Sequence, residues 1–78
     1  MNREILNARR LLCPLPVIRT QNKIKEMRPG AHLEVICTDP GVMQDIPAWC
    51  RIHGHTVLET HSGNHEYVIL IEVGGQNG

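Results

Sequence analysis

Two proline–glycine punctuations do most to limit what this chain can become. Pro29-Gly30 and Asp39-Pro40-Gly41 each interrupt regular structure, because proline has no backbone donor and glycine admits left-handed conformations. Between them only one short element fits, and at that length it is a strand rather than a helix. His32 to Thr38 alternates and carries the branched residues Leu33, Val35 and Ile36, as a strand should. Upstream, Glu4 to Ala8 reads as a first strand. A helix then runs from Pro14 to about Met27, where Val17, Ile24 and Met27 recur at helical spacing around small Thr20. Pro14 and Pro16 fall in its first turn, where a missing N–H is tolerated because the first donors of a helix have no internal acceptor.

Downstream, Thr38 or Asp39 can cap a second helix. It runs to about His53, presents Ile46, Trp49 and His53 on one face, and ends at Gly54 in the left-handed conformation. Pro47 is the awkward residue: if it lies beyond the first turn, it removes one backbone bond and bends the helix. Thr56–Thr60 and Tyr67–Val73 are strands around a turn at Ser62-Gly63-Asn64, and the nearly unbroken apolar character of the last one places it inside the sheet. The order β-α-β-α-β-β predicts an α+β fold. Its form is a two-layer α/β sandwich, a four-stranded mixed sheet with two helices on one face.

At 78 residues the chain is one domain, assigned to residues 1–73, with a flexible C-terminal tail from 74 to 78. A domain so small buries only about 60% of its unfolded surface. A pocket for a large organic cofactor would consume much of the core, so no cofactor is expected and chemistry belongs on a loop or edge. No apolar run approaches the roughly eighteen residues of a membrane span, and the first residues do not form a signal peptide. The expected address is cytoplasmic, without membrane association.

Three cysteines, Cys13, Cys37 and Cys50, are an odd number without a Cys-x-x-Cys pair, which argues against a disulfide framework. Net charge is zero, but residues 1–30 carry +5 and residues 31–78 carry −5. Cys13 lies in the basic half, near Arg9, Arg10 and Arg19. With Pro14 as the first helical residue, Cys13 becomes the N-cap, over the positive end of the helix dipole. That setting and the arginines should favour the thiolate. Pro14 and Pro16 supply no donors but fix the backbone and hold the sulfur outward. An exposed, anion-favouring thiol suits sulfur chemistry. It lacks the general base and oxyanion pocket of a cysteine hydrolase, since all five histidines (His32, His53, His55, His61 and His65) lie elsewhere in the chain.

The run Leu6-Asn7-Ala8-Arg9-Arg10-Leu11-Leu12-Cys13-Pro14-Leu15-Pro16-Val17 resembles the Cys-Pro-x-Pro signature of the TusA-type, or SirA-like, sulfur carriers. Thr38-Asp39-Pro40-Gly41 and Asp45-Ile46-Pro47-Ala48-Trp49-Cys50 resemble that family's second block. The resemblance implies a compact two-layer α/β domain, related in shape to the C-terminal domain of a translation initiation factor. It implies that Cys13 receives a persulfide from a cysteine desulfurase or a rhodanese-like donor and passes the sulfur to a DsrE-type acceptor. The pathways so served are tRNA 2-thiolation, molybdenum-cofactor assembly or sulfur oxidation. Two positions depart from the pattern: Asn7 and Arg10 stand where the family usually has Asp and Gly. Losing that glycine questions the usual turn before the helix and adds a cation beside the site.

Other signals are weaker. Buried packing accounts for Cys37 and Cys50, and a core position for Trp49. Cys50, His53 and His55 lack a fourth zinc ligand and are split by the helix end, so no metal is expected. Gly74-Gly75 resembles the terminal diglycine of ubiquitin-like sulfur carriers, but Gln76-Asn77-Gly78 follow it. A nucleic-acid-binding or regulatory module is the alternative reading, prompted by the basic first half. Zero net charge with one Trp, one Tyr and no Phe makes phosphate tracking and base stacking weak. An autonomous thiol enzyme is a third reading, disfavoured because no base is in view.

Overall fold

The computed structural model describes residues 3–75. Strand β1 (Arg3–Ala8) is followed by helix α1 (Leu15–Ile24), β2 (His32–Cys37), α2 (Val42–His53), β3 (Thr56–Gly63) and β4 (Glu66–Glu72). The sheet order is β1-β2-β4-β3. β1 pairs with β2 in parallel, while β4 pairs antiparallel with both β2 and β3. The sheet is mixed, and β4 lies inside it as its apolar sequence predicts.

Alternation along the strands assigns the faces. Leu33, Val35 and Cys37 of β2, and Ile69 and Ile71 of β4, are fully buried, as is Val73 just beyond β4. They meet Thr20 and Ile24 of α1 and Val42, Ile46 and Cys50 of α2. Both helices therefore cover one face, giving the two layers expected. Glu4 belongs to the covered face at its edge, where Lys23 of α1 pairs with it at 2.7 Å.

Several boundaries differ from the sequence reading, each for a local reason. Helix α1 ends at Ile24, not Met27. The next residues tighten into i→i+3 turns, with the Glu26 N–H donating to Lys23 and the Met27 N–H to Ile24. Met27 is buried all the same. In α2 the buried stripe is Val42, Ile46 and Cys50, spaced four apart; Trp49 is half-buried and His53 exposed. Neither Thr38 nor Asp39 occupies the N-cap position, which falls to Gly41. Asp39 acts from two residues back, accepting the Gly41 N–H at 3.0 Å. Gly54 ends α2 at φ 82°, as expected.

The hairpin turn lies at Asn64 and His65, not at Ser62-Gly63-Asn64. Both have positive φ, 52° and 64°, as a two-residue turn matching the strand twist requires. Asn tolerates that conformation better than most residues, so β3 extends through Ser62 and Gly63. At the chain's end the Gly74 N–H donates to Nδ1 of His55 at 2.9 Å. Gly74 is thus tied to the domain rather than opening a tail, and residues 76–78 of the expected tail lie outside the described residues. None of the described helices is long and apolar enough to cross a membrane.

Candidate functional site

A parallel β1–β2 pair puts the carboxyl ends of two strands side by side. The loops that leave them, residues 9–14 and 38–41, must then meet. Two hydrogen bonds join them, and a third runs from Cys13 to the first turn of α2. The Arg10 N–H donates to Oγ1 of Thr38 at 2.8 Å, the Cys13 N–H to Oδ2 of Asp39 at 3.0 Å, and the Cys13 thiol to Oδ2 of Asp45 at 3.3 Å. The two sequence blocks around Cys13 and around Asp39–Asp45 are thereby one site.

Cys13 is exposed, whereas Cys37 and Cys50 are buried in the core, 0% and 1% exposed. Burial pushes both of these thiols up to about 11. Among the described cysteines, Cys13 alone is open to a partner. Its mount is firm on one side: Pro16 is fully buried while Pro14 is exposed. Apolar Leu12, Leu15 and Ile18, within five residues of Cys13, are 73%, 43% and 43% exposed.

The electrostatic setting differs from the one expected. Pro14, not Cys13, takes the N-cap position of α1, so the sulfur lies one residue farther from the helix. The helix start also has little to offer an anion. The Leu15 N–H is already bonded to the Leu12 carbonyl at 2.9 Å, and Pro16 has no N–H. The Cys13 thiol is held above its ordinary value, first by its hydrogen bond to Asp45, then by partial desolvation, then by the charges of Asp45 and Asp39.

Of the three arginines, Arg9 is directed away from the sulfur. Arg9 turns to the start of β4 and makes a forked pair with Glu66, at 2.7 and 3.3 Å. Arg10 ties the loop through its backbone N–H to Thr38, just past β2, and Arg19 is exposed on α1. The groups that set the thiol's protonation are two carboxylates that sequence reasoning had assigned to capping or to a motif. The parallel pairing of β1 and β2 was the available signal, since it alone brings residues 39 and 45 to residue 13.

A shallow cavity of about 300 Å³, lined by Pro47, Cys50, Arg51, His55, Thr56 and Val57, lies by the far end of α2 and does not include Cys13. Trp49 stacks on His55 with ring centroids 5.2 Å apart and packs tilted against His53 at 4.8 Å. The Cys50, His53 and His55 side chains are thus engaged in packing. Among the described residues no group of three or more potential ligands is placed to hold a metal.

Residues 4–73 match the family described as sulfurtransferase TusA. The chain belongs to that family. The sulfur carrier protein TusA of Pseudomonas paraeruginosa is 40% identical over 67 residues, covering 86% of this chain and 85% of the relative. The YrkI protein of Bacillus subtilis is 41% identical over 56 residues, 72% of this chain and 75% of that one. Among solved structures, a SirA-like protein from Desulfitobacterium hafniense superposes with a TM-score of 0.80 over 92% of this chain and 99% of its own, at 20% identity. That likeness is one of fold.

Both departures from the TusA pattern are accommodated. Asn7 accepts the Arg9 N–H through Oδ1 at 3.1 Å, the turn-forming bond that an aspartate would also make. Arg10 keeps the left-handed conformation, φ 66°, that a glycine would adopt without cost. The turn before the helix thus forms with Arg10 in the left-handed region.

Proposed function

We propose that the chain is a sulfur carrier that holds sulfur as a persulfide on Cys13. The observation that carries this reading is the contrast among its thiols. Cys13 stands exposed in the family's signature loop, and Cys37 and Cys50 are sealed in the core. Relatives named as sulfur carriers support it. The Cys13 thiolate attacks the outer sulfur of a donor persulfide; the donor's S–S bond breaks and its cysteine leaves as a thiolate. A partner thiolate then attacks the outer sulfur on Cys13, and Cys13 leaves in turn. No electrons are gained or lost overall, so no metal, redox group or organic cofactor takes part.

The donor in this reading is a cysteine desulfurase or rhodanese-like protein and the acceptor a DsrE-type protein, in the cytoplasm. The sulfur then serves tRNA 2-thiolation, cofactor assembly or sulfur oxidation. Leu12, Leu15 and Ile18 suit docking of a protein rather than a small molecule, because apolar surface beside a reactive group marks an interaction site. Arg10 and Arg19 guide that docking on an acidic face, and Arg10→Glu should slow transfer in a salt-dependent way. Incubation with a desulfurase and cysteine, followed by intact mass, tests the reading. The wild type gains sulfur and Cys13→Ser does not; equal gain by the variant refutes it.

A further inference from the structure

We infer that Asp45 is a latch on the Cys13 sulfur: its carboxylate keeps the group a neutral thiol in the free carrier, and cancelling that charge releases the nucleophile. This rests on the carrier reading of Cys13 and adds its regulation. The argument is geometric. The sulfur donates to Oδ2 of Asp45 at 3.3 Å, and a thiolate has no proton to donate. Ionising it would set two anions side by side, which disfavours the charged form. A carboxyl group is by nature a far stronger acid than a thiol, so the shared proton belongs on sulfur.

The distance is enforced rather than incidental. Asp39 binds the Cys13 N–H with one carboxylate oxygen and the Gly41 N–H with the other, each at 3.0 Å, so one side chain ties the thiol's backbone to the start of α2. Asp39 adds a second negative charge near the sulfur. Arg9, close in sequence, brings no relief, since its side chain is held by Glu66. Asp45 is itself exposed. A lysine or arginine of a docked donor can therefore reach it, neutralise it and free the thiolate when a persulfide is at hand. The consequence is a carrier that resists chance alkylation and oxidation between encounters, both of which follow thiolate character.

The test is the pH profile of iodoacetamide alkylation at Cys13, followed by mass on the intact folded protein, for wild type, Asp45→Asn and Asp45→Lys. Removing one unit charge at this range should raise the thiolate fraction near neutral pH roughly fivefold. A less basic thiolate is a poorer nucleophile, so the rate near pH 7 should rise only about two- to threefold. At strongly alkaline pH, where every thiol is ionised, the order should reverse and the wild type react faster. Asp45→Lys should move the profile further in the same direction. An unmoved profile overturns the latch, as does a rate raised equally at every pH, which would mean easier access alone.

A second measurement needs no variant: in the wild type, Cys13 should ionise at higher pH in the folded chain than in urea. The opposite order overturns the latch. Persulfide loading is read separately. Failure to load Cys13 overturns the carrier reading and this inference with it. Normal loading with an unmoved alkylation profile overturns the latch alone.

Discussion

Replacing Arg10 by glycine should stabilise the protein. Arg10 has φ 66°, a conformation that costs a residue bearing a Cβ about 1–2 kcal/mol. Its side chain is exposed and its N–H is fixed to Thr38, so glycine keeps the backbone bond and loses little packing. Against the relief stands the greater freedom of glycine in the unfolded chain, about 0.4–1 kcal/mol. Taking the middle of each range, the balance is a gain of about 0.8 kcal/mol. For a domain of this size each kcal/mol moves the melting temperature by roughly 4–8 °C, so thermal unfolding followed by circular dichroism should show a rise of roughly 3–6 °C. Arg10→Ala keeps the strain and should melt near the wild type, while the β-branched Arg10→Val should melt below it. A glycine variant melting below the wild type, or level with the valine variant, would refute the strain argument. The same glycine variant should transfer sulfur more slowly despite its stability, because the cation proposed for docking is gone.

Two further outcomes follow from the thiols and from His55. In native protein near pH 8, iodoacetamide should modify Cys13 and spare Cys37 and Cys50, whose thiols lie at about 11 and are sealed in the core; in denaturant all three should react, and modification of the native core cysteines would contradict the packing. His55 is held below its usual value of 6.5, first by burial and then by the charge of His53. Its contribution to stability is therefore complete above about pH 6.5 and is lost as pH falls from there through the lower folded value. Melting temperature should drop between about pH 7 and 5, and less so in His55→Asn. Equal slopes would show that the bond to Gly74 does not depend on the neutral ring.

The fold was largely legible because the Pro-Gly breaks, the helical spacing and the strand alternation all agree. Boundaries slipped where a local bond decided them, as at the Asn64-His65 turn and the frayed end of α1. Cys13 was legible as the candidate site from its loop. Its chemistry was not. Sequence proximity suggested that Arg9 and Arg10 would surround the sulfur, but Arg9 reaches Glu66 across the sheet. The residues that bond to Cys13 come from 26 and 32 positions away, Asp39 to its backbone and Asp45 to its thiol. Strand pairing decides such contacts, and no local pattern carries it.

The most direct test of the account is to locate the sulfur. After loading from a desulfurase, the persulfide is capped by alkylation, the protein is digested with trypsin, and each cysteine peptide is analysed by mass. The account predicts the extra sulfur on the fragment spanning residues 11–19, which holds Cys13, and none on the fragment spanning residues 26–51, which holds both Cys37 and Cys50. Sulfur found on either core cysteine, or absent from the 11–19 fragment under loading conditions, would contradict it.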